Sequence, residues 1–269
     1  MAQLLSQIRY WTQYLVGDPQ MSTYSLQMYT DATDFAMKDY AAKTGATYSE
    51  TASIPDSGGF IALPLDYIRP IRVYYSVGGT TQTELIESTF SFEDLKSNVW
   101  QNLTQTAATF PPRRWAQWSG AKIRLTPIPT STAYLATIGY VQKPASISET
   151  PTTAGSFVVG KSYQIATIGG TDFTLVGATA STIGVNFIAT GVGTGAGTVM
   201  DVVDLRIPES HNEYLKYAAA SWLLQLDGDG QDLKTADGHM QKFNSLIGYS
   251  DPVLEAKMKL SRTQPEREM

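Results

Sequence analysis

The side chains able to do chemistry are few, and their spacing limits what they can do. Asp227-Gly228-Asp229-Gly230-Gln231-Asp232 alternates acids and glycines as a calcium loop does. An EF-hand loop needs glycine at its sixth position and a bidentate glutamate at its twelfth. Those positions are Asp232 and Gly238, so the stretch reads as a turn between helices. Gly191-Val192-Gly193-Thr194-Gly195-Ala196 loosely fits a dinucleotide fingerprint, which must open a helix after a strand. Gly197-Thr198-Val199-Met200 follows it and reads as strand. Carboxylates pair at spacing three in Asp31/Asp34, Glu84/Glu87 and Asp201/Asp204. A glycosidase needs two carboxyls roughly 5–10 Å apart across a cleft, whereas pairs this local lie on solvated faces. His211 and His239 are the only imidazoles, each read at an ordinary helical position. The sequence holds no G-x-S-x-G and no P-loop. Arg113-Arg114-Trp115 with Trp118 mixes basic and aromatic residues, as single-strand stackers do, though such residues also pack loops and interfaces. The expectation is no catalytic residue, no metal and no cofactor.

Composition narrows the field in the same direction. The chain has 269 residues, 42% hydrophobic and 17% charged, against a globular norm of roughly 25% charged. That is enough apolar mass for a core. Net charge is −5 and pI about 5.1, so a general nucleic-acid coat, which would be basic, is disfavoured. The absence of cysteine excludes disulfide scaffolds and thiol nucleophiles, and two histidines leave no multi-histidine metal site. Arg9 interrupts the first apolar stretch and no small-residue cleavage site follows it, so no signal peptide is expected. The longest apolar run, Tyr217 to Leu224, is far short of the ~20 residues that span a bilayer, so no membrane association is expected.

The elements that would position these residues follow from periodicity. Leu4, Leu5, Ile8, Trp11 and Leu15 recur at helical spacing, giving a helix over 3–16 that Gly17-Asp18-Pro19 ends. A second helix, with Ser22 as expected N-cap, carries Leu26, Met28, Tyr29, Ala32, Phe35, Ala36 and Tyr40 and stops near Gly45. The period then changes to two. Strands are expected at 60–63, at 68–77 (Ile71, Val73, Tyr75 and Val77 on one face), at 83–86 after the Gly78-Gly79 hairpin signal, at 122–125 and at 134–141. Together they make a small antiparallel sheet.

Residues 151–199 differ from the rest. They hold 10 of the 22 glycines and 10 threonines, with Lys161 and Asp172 as the only charges. Alternating runs at 163–168, 173–176 and 185–190, separated by turn residues, predict a small all-β sandwich or barrel with no helix. Helices return after Ile207-Pro208. Ser210 and Glu213 have capping-box spacing. Leu215, Ala218, Ala219, Trp222 and Leu226 form one stripe, and Leu233, Ala236, Met240, Phe243 and Ile247 form another, giving a second helical hairpin. The remaining tail is too poor in apolar residues to fold alone and needs a partner. The expected fold class is α+β: a helical bundle of two αα-hairpins plus a small antiparallel β-sheet, an inserted all-β domain and an extended C-terminal tail. The expected divisions are 1–150, 151–199 and 200–269.

The order of these segments carries a resemblance. Leu63-Pro64-Leu65-Asp66-Tyr67-Ile68-Arg69 follows the first helix pair; Phe110-Pro111-Pro112-Arg113-Arg114-Trp115 comes next. Leu125-Thr126-Pro127-Ile128-Pro129 then leads to a strand ending Tyr140-Val141-Gln142-Lys143-Pro144, and Ile207-Pro208 opens the last helix pair. Over roughly 1–150 and 200–250 the chain resembles the adaptor family of tailed bacteriophages, the head-completion or head-to-tail connector proteins. The stretch from Gly160 to Val199 resembles a Gly/Thr-rich module found in phage virion proteins and departs from the basic adaptor. The resemblance implies a structural, non-enzymatic virion protein made in the host bacterial cytoplasm and placed at the head–tail interface. It implies a ring, typically of twelve subunits, between the portal protein and a tail or nozzle protein, with genomic DNA passing through the lumen without specific binding during ejection. It also implies that the C-terminal tail clamps the portal, with Leu254, Met258 and Leu260 as apolar anchors and Lys257 and Arg262 in the same contact. The module would contact a fibre or collar protein, or a neighbouring subunit. The other reading is a receptor- or glycan-binding virion protein that uses the module, with Tyr163 and Phe173 stacking on sugars.

Overall fold

The computed structural model describes residues 5–77, 82–88, 104–105, 111–129, 134–227 and 230–248. The chain divides into two compact units, one of residues 1–46 with 144–269 and one of residues 47–143. The fold class is α+β, as expected.

In the first unit, α1 (Leu5–Leu15) turns Leu5 and Ile8 inward, and Thr12 Oγ1 donates back to the Ile8 carbonyl at 2.8 Å. α2 (Leu26–Thr44) ends at Gly45, whose left-handed φ of 72° lets its N–H reach the Ala41 carbonyl. Its N-cap is Ser25, which accepts from the Met28 N–H, and not the expected Ser22. Ser22 is drawn away by Asp18, whose Oδ1 takes both its N–H and its hydroxyl. A single helical turn, Glu209–Asn212, precedes α3 (Leu215–Asp227) and α4 (Gly230–Leu246). The expected capping box is not formed: Pro208 is the N-cap and no side chain caps that turn. Ala32, Ala36, Ala218 and Ala219 are fully buried and let α2 and α3 approach closely, with Met37, Tyr40, Leu223 and Phe243 filling the same core. Leu226 and Leu233, expected on the buried stripes, are 50% and 43% exposed.

The second unit holds β1 (Tyr48–Ser53), β2 (Phe60–Ala62), β3 (Tyr67–Val77), β4 (Gln82–Glu84), β5 (Ile86–Glu87), β6 (Thr104–Gln105), β7 (Arg114–Ser119), β8 (Lys122–Thr126), β9 (Ile128–Pro129) and β10 (Tyr134–Gln142). They form two four-stranded sheets, in the orders β1-β10-β3-β4 and β2-β8-β7-β5, and a β6–β9 pair. The single antiparallel sheet expected is therefore corrected: β5–β7 and β6–β9 are parallel. The strands expected at 60–63, 68–77, 122–125 and 134–141 are present with shifted ends, and the one expected at 83–86 is split, β4 pairing with β3 and β5 with β7 in the other sheet; β1 and β7 were not expected. Gly78-Gly79 lies outside the described residues. Ile71 does not share the face of Val73. Pro70 has no N–H to donate, and the register steps from Arg72 opposite Gly139 to Pro70 opposite Tyr140. The bulge leaves Ile71 unpaired and 45% exposed, while Val73 is fully buried.

The Gly/Thr-rich stretch, within the first unit, builds a four-stranded sheet in the order β11-β14-β12-β13 from β11 (Thr152–Thr153), β12 (Ser162–Thr167), β13 (Asn186–Ile188) and β14 (Thr198–Asp201). It packs its own core of Phe157, Tyr163, Ile165, Phe173, Phe187 and Val199. Among the described residues this is one sheet, in place of the sandwich or barrel expected. The strand expected at 173–176 is a turn of 3-10 helix. Asp172 caps it through the Thr174 N–H and Gly177, at φ 106°, ends it.

Candidate functional site

Most of the polar clusters that the sequence offers serve the fold. Asp227 closes α3 and Gly230 opens α4, with 228–229 outside the described residues. The glycine run from Gly191 leads into strand β14 and not a helix, so the dinucleotide pattern has no structural counterpart. In α2, Asp34 pairs with Lys38 and Asp31 accepts from Gln27 at 2.8 Å. Glu84 and Glu87 are exposed and line a cleft of about 390 Å³ with Arg72, Ile86 and Trp115.

Asp201 and Asp204, three residues apart, serve different ends. Asp201 is buried; its Oδ2 takes Lys161 Nζ and the Ser148 N–H, each at 2.5 Å. Burial pushes its carboxyl above the ordinary value, and the Lys161 ammonium and the Ser148 bond only partly oppose this. The pair ties the start of β12 to the end of β14 and to the approach to the module. Asp204 instead holds Arg206, through the backbone N–H at 3.0 Å, Nε at 2.9 Å and Nη2 at 2.6 Å.

Neither histidine is poised as a base. His211 Nδ1 lies 2.6 Å from the Tyr40 hydroxyl, and its ring stacks on Tyr214. His239 packs beside Tyr217, and burial, with Lys242 nearby, lowers its pKa, opposed by the hydrogen bond its ring donates to the Leu15 backbone. In the basic–aromatic cluster, Trp115 is buried in the second unit's core. Trp118 stands edge-on to Phe60 with ring centroids 5.2 Å apart. The Arg124 guanidinium lies 5.0 Å from the Phe60 centroid and 5.3 Å from that of Trp118. Burial lowers the Arg124 pKa, with Asp56 opposing. Arg124 and Phe60 belong to this cluster through the β2–β8 pairing, which no local motif announces.

Tyr163 and Phe173, the sugar-stacking candidates, are both fully buried, with rings against Phe157 and Phe187. A buried face cannot stack on a glycan, so that assignment is corrected. Both module charges are engaged: Lys161 by Asp201, and Asp172 by Thr174 and Ser181. The surface the module offers is aliphatic, with Val158, Val159, Leu175, Ile183 and Val192 exposed. Leu254, Lys257, Met258, Leu260 and Arg262 lie outside the described residues. Among the described residues no group of three or more His, Asp or Glu side chains is placed to hold a metal ion, and no helix is long and apolar enough to cross a membrane.

The sequence reading missed Asn186 and Asn212. Each buries a side-chain oxygen without a partner, and both line one cleft with Asp204 and Glu209. Their positions, 26 residues apart, carry no motif that would have joined them.

An α+β chain whose charged clusters brace its own elements has the character of a structural protein. Residues 1–163 of 269 match the model of the SU10 adaptor protein family, and the chain belongs to that family. It is a phage adaptor, a structural component of the virion that works with other head and tail proteins. No curated protein matches the chain.

Proposed function

We propose that this chain forms a ring, of twelve subunits, that joins the portal to the tail and lines the channel for DNA. The observation that carries this is the family match over residues 1–163, which spans the first helix pair and both sheets of the second unit. Charge supports it. Twelve copies at −5 each carry about −60, and a lumen of like sign lets DNA pass without sticking. The two αα-hairpins form the ring body, and residues 251–269 reach the portal, with Leu254, Met258 and Leu260 as anchors flanked by Lys257 and Arg262. The module of residues 151–199 is a peripheral protein-contact domain for a fibre, a collar or the next subunit. Its engaged charges and exposed aliphatics suit a protein partner better than a charged polymer.

The test is native mass measurement and negative-stain imaging of the chain alone and mixed with its portal. A ring stacked on the portal, or monomers that close into a ring when portal is added, is the expected result. A monomer or trimer indifferent to portal would refute the proposal and return attention to receptor binding by the module.

A further inference from the structure

Lys38, Lys43, Lys161 and Arg206 each pair with an aspartate. Two lysines of the helical bundle lie on aromatic rings instead. Lys216 of α3 places its Nζ 5.1 Å from the ring centroid of Trp11 on α1 and 5.3 Å from that of Tyr217. Lys242 of α4 places its Nζ 4.9 Å from the same Tyr217 centroid. One ring thus carries two ammonium groups that stand no more than about 10 Å apart. Among the described residues neither has a carboxylate within ion-pair distance, and Glu213 and Asp237, the nearest acids in sequence, pair with neither. α1 adds no acid to this face, and its Arg9 is taken by Glu149. The face is open to an incoming group: Lys242 is exposed, Tyr10 and Tyr14 are 54% and 61% exposed, and Lys216, Trp11 and Tyr217 are half-buried.

Two like charges held this close without a counter-charge suit an anion, and their chemistry selects which one. A lysine ammonium meets phosphate as a point charge, whereas the planar fork of arginine is the better match for a carboxylate. Tyr14, three residues after Trp11, lies beside it on the surface of α1. The Tyr10 hydroxyl donates to the Tyr14 oxygen at 3.2 Å, which leaves the Tyr14 proton for an outside acceptor. Lysine ammonium and tyrosine hydroxyl groups are donors that contact nucleic-acid phosphates without reading sequence. The Trp11 and Tyr217 rings already carry the lysines, so they hold the charges in place and do not serve as platforms for unstacked bases.

We propose that the face formed by Lys216, Lys242 and Tyr14 touches the phosphate backbone of duplex DNA, as a weak and sequence-independent contact. Two charges on a chain of net charge −5 guide DNA without gripping it. The proposal rests on the channel reading for the source of the DNA, and the chemistry of the face does not. The experiment therefore uses the isolated full chain and needs no portal. Anisotropy of a fluorescein-labelled duplex of about 20 base pairs is read between about 50 and 200 mM salt. The parent is compared with Lys216→Gln, Lys242→Gln, the double variant and Lys122→Gln. Lys122 also lies over a ring, that of Phe60, but in the second unit, so it controls for a lysine on an aromatic as such. Thermal melts accompany each variant, and glutamine keeps part of each lysine stem on its ring.

Two phosphate contacts predict a slope of log K against log salt of about −1.8 per chain. Each single variant should halve the slope and weaken binding at about 50 mM salt by about fifteenfold, and the double variant should bring the slope near zero. Lys122→Gln should change neither. No binding at low salt, a slope that the double variant keeps while its melt matches the parent's, or a loss carried by Lys122→Gln would overturn the proposal. Displacement of the duplex by polyglutamate of equal charge at the same concentration would overturn it as well and assign the face to an acidic protein segment. A chain that binds the duplex through these lysines but builds no ring on the portal would uphold this contact and refute the assembly; a ring without duplex binding would do the reverse.

Discussion

Replacing Asp18 by asparagine should destabilise the first unit by about 2–4 kcal/mol. Asp18 is 3% exposed and sits in the loop from α1 to α2. Its Oδ1 accepts from the Ser22 N–H at 2.7 Å and the Ser22 hydroxyl at 2.9 Å. Its Oδ2 accepts from the Thr23 N–H at 3.2 Å, the Tyr24 N–H at 3.0 Å and the Tyr29 hydroxyl at 3.1 Å. An asparagine keeps one oxygen, so an NH2 group must face the other donors. If the oxygen stays on Ser22, the Thr23 and Tyr24 N–H groups lose their acceptor, and each buried donor left unpaired costs about 1–3 kcal/mol. At about 2–4 °C per kcal/mol for a chain of this size, Tm should fall by about 5–15 °C.

The effect has a pH signature. Desolvation raises the carboxyl's pKa, but the N–H groups of Tyr24, Ser22 and Thr23 and the Ser22 hydroxyl outweigh it and hold the value at about 2. A folded pKa below the unfolded one gives stability that is complete above about pH 4 and is lost as pH falls toward about 2. The gap between parent and Asp18→Asn should be constant from pH 5 to 7 and narrow below about pH 4. Thermal melts followed by circular dichroism from about pH 2 to 7 would read it. A loss under about 2 °C at neutral pH, or a gap that stays the same at pH 2, would refute the reasoning.

Three further outcomes are expected. Gly177→Ala should cost about 2 kcal/mol or more: a Cβ there would lie 2.4 Å from the Ile188 carbonyl oxygen at a φ of 106°, whereas Gly120→Ala, with open space around it, should stay within about 0.5 kcal/mol in the same urea titration. His239 is held neutral by burial, so the unfolded chain takes up the proton first, and stability should decline as pH drops below about 6.5; urea midpoints at about pH 8 and 5.5 should differ more for the parent than for His239→Gln, and equal differences would remove the assignment. Deleting residues 252–269 should abolish portal co-sedimentation while leaving the thermal melt of the described fold unchanged, and retained co-sedimentation would exclude the tail as the portal contact.

Local chemistry was read correctly wherever a segment's structure depends on its own neighbours. The stop of α2 at Gly45 follows from one residue's freedom at positive φ. The strands around Val73 and Ile138 follow from alternation. The family was also legible, because the order of helix pair, LP-x-D motif and P-x-P segment is a property of the string. Ser22 and Ile71 show where that reading ends. Each obeys the local rule for a cap or a buried strand face, and each is overruled by a neighbour, Asp18 in one case and the bulge at Pro70 opposite Tyr140 in the other. Phe173 read as strand because its apolar partners at 157, 163 and 187 act only once the module closes on them.

Residue type and spacing thus determined the α+β class, most element positions and the structural, adaptor character of the chain. Only the tertiary structure decided which strands run parallel, which aromatic residues are core and not binding platforms, and that Asn186 and Asn212 each bury a side-chain oxygen without a partner. Those outcomes depend on contacts between residues far apart in the chain, and hydrogen-bond satisfaction and burial are settled by such contacts, which no local spacing encodes.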